Sequence, residues 1–200
     1  MSKKVEVKNF ELQKVKFNAK KGLIINYFDI NSPNDLWNVD SDSQPSEDYI
    51  NALNELKEVF AYSLALNNGW DYLRDNNRKN EEVLKKSILS WKEEIERCVV
   101  TGLSVVGVGD SKGIKISGSL KTDLGVVGLA SPIARFDSLV TNSMDEEIMI
   151  GDLAETAFVK IQLEIWSFIF AGKRGGGEIN FPEAEKPVSG LNITKLEKVG

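Results

Sequence analysis

Val15-Lys-Phe17-Asn-Ala-Lys-Lys21-Gly22-Leu23-Ile-Ile25 returns in outline later in the chain as Val106-Gly-Val108-Gly-Asp-Ser-Lys112-Gly113-Ile114-Lys-Ile116. In each copy apolar residues alternate, a Lys-Gly pair interrupts, and the alternation resumes, which is the pattern of strand, turn and strand. Outward from the first copy, Phe10-Glu-Leu12-Gln-Lys-Val15-Lys-Phe17 alternates in two short registers. Asn18–Gly22 then supplies a turn, with glycine where positive φ is useful, and Leu23–Phe28 forms a second strand. Outward from the second copy, Val99–Val108 leads through Gly109–Gly113 into Ile114–Gly118, and a third run, Leu124–Ile133, completes a meander. Polar chain and an amphipathic helix follow each hairpin. The sequence therefore predicts an α+β fold, a tandem repeat of antiparallel β-hairpin or meander plus helix, with a helical insertion.

The helices follow from the change of period. Asn31–Pro45 is polar, with a turn at Ser32–Asp35 and a short strand at Leu36-Trp37. From Ser46, Tyr49, Leu53, Leu56, Phe60 and Leu64 recur at three- and four-residue spacing and end near Asn67-Asn68-Gly69. Asp71–Asn80 reads as an exposed connection. Leu84, Ile88, Trp91 and Ile95 share the face of a further helix, supported by Glu81 with Lys85 and Glu82 with Lys86 one turn apart. A long helix is predicted from about Asp145 to Gly172. Residues 1–175 form one domain in this reading, with halves at about 10–68 and 98–172 and the insertion at about 70–97. Residues 176–200 form a flexible or extended tail.

Composition narrows the chemistry. Of 200 residues, 42% are hydrophobic, enough for one substantial core or two small ones. With 0 histidines, a Ser-His-Asp triad, a Cys-His pair and an imidazole-ligated zinc are excluded, and one cysteine, Cys98, cannot build a thiolate zinc site. Catalysis would fall to carboxylates, lysines, tyrosines or an acid-bound metal, so a non-enzymatic role without cofactor or metal is expected. The longest apolar run, near Ile165–Gly172, is too short to cross a bilayer, and no apolar segment backs the N-terminal basic residues as in a secretory signal. With a lone cysteine, these features predict a cytoplasmic protein without a membrane partner.

The net charge of −5 is unevenly spread. Lys3, Lys4, Lys8, Lys14, Lys16, Lys20 and Lys21 open the chain against Glu6 and Glu11, whereas acids gather ahead of the predicted helices, where they complement the helix dipole. Lysines beside exposed aromatic side chains on a sheet can neutralise phosphate and stack bases together. Lys14, Lys16, Lys20, Lys21, Tyr27, Lys112 and Lys115 sit on or beside the hairpins, with Phe28 and Lys121 nearby, and Lys173-Arg174 lies between the long helix and a glycine run. These nine residues, Lys14 through Arg174 with Phe28 and Lys121 set aside, are the candidate nucleic-acid contacts. Gly107–Gly113 resembles a phosphate loop only superficially, since it joins two strands and lacks Gly-Lys-Ser/Thr. Asp145, Glu146, Glu147, Asp152 and Glu155 read as dipole complement, not as a metal site.

The long helix carries two apolar stripes. Ala154, Ala157, Phe158, Ile161, Ile165, Phe168 and Ile169 form the core stripe, while Val159, Leu163, Trp166 and Phe170 fall on nearly the opposite side. Either the 81–97 helix covers the second stripe or another subunit does, and the second case predicts a homo-oligomer.

The order of hairpin, acidic helix, hairpin and long helix, closing on Phe168-Ile-Phe170-Ala-Gly172-Lys173-Arg174, resembles a group of small tailed-phage early proteins. The likeness spans most of residues 10–174 and implies a bacterial host cytoplasm. The tandem sheet-helix plan is also similar to the Whirly-like single-strand-binding folds, from which the 70–97 insertion departs. No base-contacting residue of that family is carried over to this chain. Together these readings give two expectations: an accessory protein that binds single-stranded nucleic acid on a Lys-rich sheet surface, or a protein-interaction module such as an inhibitor of a host or defence protein.

Overall fold

The computed structural model describes residues 10–18, 22–29, 32–64, 81–138, 140–141, 147–148, 150–173 and 191–196. In chain order its elements are β1 (Phe10–Asn18), β2 (Gly22–Asp29), β3 (Ser32–Ser41), α1 (Glu47–Ser63), α2 (Glu81–Arg97), β4 (Cys98–Val106), β5 (Gly113–Thr122) and β6 (Gly125–Arg135). The short strands β7 (Val140–Thr141) and β8 (Glu147–Ile148) follow, then α3 (Ile150–Phe170) and β9 (Asn192–Leu196). This is the predicted α+β fold, with strands then helix occurring twice and α2 inserted between. The chain forms two compact units, Met1–Ala52 with Phe158–Gly200, and Leu53–Ala157; the division falls inside α1 and inside α3.

In the first unit the antiparallel order is β1-β2-β3-β9. Alternation sends Phe10, Leu12 and Val15 of β1, Leu23, Ile25 and Tyr27 of β2, and Val39 of β3 into the core. The register of β1 on β2 shifts between Leu12 and Lys14. This bulge lets Leu12 and Val15, of unlike parity, share one face, which explains the two registers visible in the sequence. The C-terminal part of α3 covers that face through Phe158, Ile161, Ile165, Phe168 and Ile169, and the Leu12 N–H donates to Gln162 Oε1 at 3.3 Å. Strand β3 runs ten residues, well past the short strand expected at Leu36-Trp37. Its polar residues obscure it in sequence, but Leu23–Asp29 pairs along its length and buries Val39. Asn192–Leu196, within the expected tail, pairs with Leu36–Asp40.

In the second unit the order is β6-β5-β4, and Cys98, Val100, Leu103, Ile114, Ile116 and Ala134 face inward. Leu53, Leu56, Val59 and Phe60 of α1 supply the opposing apolar face. At Gly118 the two layers approach closely: a Cβ there would lie 3.0 Å from Phe60 Cε1 and would strike the Val99 carbonyl oxygen. Helix α2 meets α1 through Trp91 on Tyr62, ring centroids 4.9 Å apart, and through a Lys57–Glu96 ion pair at 3.4 Å.

Two local expectations differ from the structure. The hairpin copies do not superpose at their turns, because β1 ends three residues before Lys21-Gly22 whereas Val108 lies in the β4–β5 connection, 84% exposed and followed by a 3-10 turn at Gly109–Ser111. Gly22 has φ of 77°, but Gly113 is not left-handed and instead lets the Ala134 backbone approach. Helix α3 begins at Ile150, after Glu147–Ile148 has paired with Val140–Thr141. No helix among the described residues is long and apolar enough to cross a membrane.

Candidate nucleic-acid interface

In each unit the long strands turn one face to the helices and the other away from them. In the first unit the outward side chains form three rows across the strands. Lys16, Ile24, Asp40 and Asn192 make one, Lys14, Asn26, Asn38 and Thr194 the next, and Glu11, Phe28, Leu36 and Leu196 the third. Lys14 and Lys16 are exposed, Ile24, Asn26, Phe28 and Leu36 are half-exposed, and Asn26 Nδ2 donates to Asn38 Oδ1 at 3.4 Å. The bulge after Leu12 decides this layout, since it holds Lys14 and Lys16 outward while Leu12 and Val15 stay in the core. The positive side of the face is β1, and Asp40 with Asp42 makes the β3 side acidic.

In the second unit Lys115 is exposed between Ser104 and Ile133, and Lys121 is exposed beside Val126. Between them lie Ser117 and Ser119 on β5 and Gly128 and Ala130 on β6, a shallow strip of small side chains. Six residues of strand separate the two lysines, ~20 Å along β5. Lys112 is half-buried at the mouth of the β4–β5 connection.

The other expected contacts are placed differently. Tyr27 is on the core face, opposite Lys14 and Lys16, 4.9 Å from Phe10 and edge-on to Phe170 at 6.2 Å between ring centroids. Burial, and then the Asp29 carboxylate, push its phenol up to about 12. The aromatic side chain that shares the lysine face among the described residues is Phe28, and alternation along β2 from the apolar Leu23 and Ile25 is the sequence signal that places it there. Lys173 is buried, its ammonium donating to Asp48 Oδ2 at 2.7 Å and to Glu164 Oε1 at 2.8 Å. Glu164 also accepts from Ser46 Oγ at 2.8 Å, and Ser46 caps α1 by accepting the Tyr49 N–H at 3.2 Å. Gly172, with φ of 69°, turns the chain back so that the Lys173 N–H reaches the Ser167 carbonyl at 3.1 Å. Lys173 thus ties the end of α3 to the start of α1 and is not presented to a ligand. Lys20, Lys21 and Arg174 lie outside the described residues.

On α3, Val159 and Leu163 are exposed, at 51% and 36%. Trp166 and Phe170 are half-buried: Phe170 meets Phe10 edge-on at 6.1 Å, and Trp166 leans on Phe170 at 5.9 Å. The lower half of the second stripe is therefore covered by the first hairpin of its own unit.

Reactive groups are not gathered into a site among the described residues. Cys98 is buried and donates to the Glu94 carbonyl at 3.6 Å; burial, and then the Glu94 carboxylate, push its thiol up, which disfavours the thiolate. No group of three or more potential metal ligands is assembled among the described residues, and Asp145 and Glu146 lie outside them. Comparison of the chain with known families, with characterised proteins and with solved structures finds no match.

Proposed function

We propose that this chain is a non-enzymatic accessory protein of phage type that binds single-stranded nucleic acid on the outward sheet faces. The observation that carries the reading is the outward face of the first unit, where Lys16 stands beside Ile24 and Lys14 beside Asn26, one row from Phe28 and its neighbour Glu11, opposite the helix-packed core. Lysines on β1 would neutralise backbone phosphates while Phe28, with Leu36 and Leu196 beside it, offers a platform for bases, each stacked base contributing about 1–3 kcal/mol. Such contacts ignore base identity, so binding would be sequence-tolerant and strongly salt-dependent. Lys115 and Lys121, at the ends of a smooth strip, give the second unit a similar capacity to follow a phosphate chain. The tandem order of strands and helix, similar to the Whirly-like single-strand-binding folds, supports the same reading.

A labelled-oligonucleotide anisotropy titration over a range of salt tests it. Neutralising four phosphates on a single strand gives a log–log salt slope of about −2.8. Lys14→Glu with Lys16→Glu should lower the affinity and flatten that slope, with the circular dichroism spectrum unchanged. No binding at ~10⁻⁴ M protein in low salt, the weak end of ordinary non-specific affinity, overturns the reading. A second reading, a protein-interaction module such as an inhibitor of a host or defence protein, is favoured by the apolar β5–β6 hairpin, where Leu124 is 101% and Val126 69% exposed. Capture of one stoichiometric protein, together with failure to bind oligonucleotide, selects it.

A further inference from the structure

We propose that the first half of β6, residues 125–130, pairs edge to edge with the same segment of a second copy of this chain, antiparallel about a two-fold axis near Gly128. Among the described residues the strand order β6-β5-β4 leaves β6 at an end, bonded to β5 on one side only. An edge strand offers a row of unpaired N–H and C=O groups, and chains that remain single guard such edges with charges, proline or bulges. Strand β6 is guarded over its second half alone. Its register on β5 shifts opposite Lys115–Ser117, Pro132 has no N–H to give, and Ser131 Oγ takes the Ile116 N–H at 2.9 Å in place of a backbone carbonyl.

The first half has none of these guards. Gly125-Val-Val-Gly-Leu-Ala130 pairs with Thr122–Ser117 in unbroken register and carries no charge and no proline. At Gly128 a Cβ would meet nothing within 4 Å among the described residues, so no contact described there calls for glycine. Glycine in a strand suits the close approach of another backbone.

Charge selects a second copy as the occupant, and selects the antiparallel arrangement. Asp123 and Arg135, both exposed, flank the strand with opposite signs. Antiparallel self-pairing about Gly128 places Asp123 of each copy, in the β5–β6 turn, two residues from the position facing Arg135 of the other, whereas parallel pairing would align like charges. The uncharged middle lets two chains of net charge −5 meet without local repulsion. With the axis at Gly128, Val126 faces Ala130 and Val127 faces Leu129 across the pair, so that apolar side chains, exposed at Val126, Val127 and Ala130, gain cover on both faces of the new ladder.

Homotypic disulfide trapping tests the arrangement in the full chain. Residues facing each other on a two-fold axis of an antiparallel pair have Cα atoms about 4.5–5.5 Å apart, within disulfide reach. In a Cys98→Ser background, Gly128→Cys should yield a covalent dimer on mild oxidation, while Asn54→Cys, exposed on α1, should not. By light scattering the wild type should be a dimer, and Val127→Glu should raise its dissociation constant by about 100-fold or more with the fold retained. Leu163→Glu on α3 should leave the dimer intact. A monomeric wild type, a dimer unaffected by Val127→Glu, or equal trapping by the two cysteines overturns the proposal. So does a monomer whose β6 is protected only by a foreign strand. Oligonucleotide binding by the Val127→Glu monomer is read independently of its oligomeric state, so the two readings fail separately.

Discussion

Replacing Lys173 by Met should unsettle the first unit more than any other exchange of a charged residue there. The lysine side chain is 8% exposed, and its ammonium sits 2.7 Å from carboxylate oxygens of both Asp48 and Glu164. Glu164 is 13% exposed, so losing the cation leaves a largely buried carboxylate held, among the described residues, by Ser46 Oγ; a charge-assisted bond of this kind contributes about 1.5–3 kcal/mol. Asp48 is 67% exposed, and water screens that half of the interaction, which adds at most about 1 kcal/mol. The expected loss is therefore about 2–4 kcal/mol by urea denaturation. Adding Glu164→Gln removes the stranded charge, so the double variant should be more stable than Lys173→Met alone by about 1 kcal/mol or more. Burial by itself would lower the ammonium's pKa, but the bonds and charges of Asp48 and Glu164 outweigh it and hold it above the ordinary 10.5. A folded-state value above the unfolded one stabilises fully below pH 10.5 and fades as pH rises through the folded value, so the deficit of Lys173→Met should shrink there. Because the ammonium is already paired, the salt slope of oligonucleotide binding should not change. A loss under about 0.5 kcal/mol, or no rescue by Glu164→Gln, refutes this account.

Three further outcomes are expected. Tyr49 Oη is buried with no hydrogen-bond partner among the described residues, so Tyr49→Phe should leave the midpoint of urea denaturation unchanged or raise it, and a loss above about 1 kcal/mol would mean that the hydroxyl has a partner. Gly118→Ala places a methyl between Phe60 and the Val99 backbone and should cost about 1–3 kcal/mol in thermal or urea melts; an unchanged melt would mean that the α1–β5 contact is loose. Tyr27, raised to about 12, and Tyr49, raised further by burial, should both stay protonated in the folded chain at pH 11. Ultraviolet titration should show them ionising only on unfolding. Since the unfolded phenols ionise first, this part of the stability is present below pH 10 and lost above it.

Much of the architecture is local and so was legible along the chain. The two-residue period of Phe10–Phe28 and Val99–Ile133, and the three- and four-residue spacing of Tyr49, Leu53, Leu56 and Phe60, fix which segments are strands and which are helices. Side-chain periodicity is a property of a single element. The core stripe from Ala154 to Ile169 is buried as its spacing predicts. Strand β3 escaped because Asp35, Asn38 and Asp40 dilute its apolar pattern, and its backbone pairing with β2 carries no mark in its own residues.

The candidate interface shows the same division. Sequence alone determined that lysines lie on hairpins, that the long helix has two apolar stripes, and that histidine and paired-cysteine chemistry is absent. Only the tertiary structure decided which of those residues share a surface. A one-residue bulge in β1 sets Lys14 and Lys16 on the face of Phe28, because each extra residue in a strand exchanges its faces, while unbroken alternation along β2 takes Tyr27 to the core with Leu23 and Ile25. Whether Lys173 is solvated or sealed depends on Asp48 and Glu164, brought to it from 125 and 9 residues away by the packing of α3 against the sheet. A cation's role is set by what surrounds it in space, and that neighbourhood exists only once distant segments have found a common core.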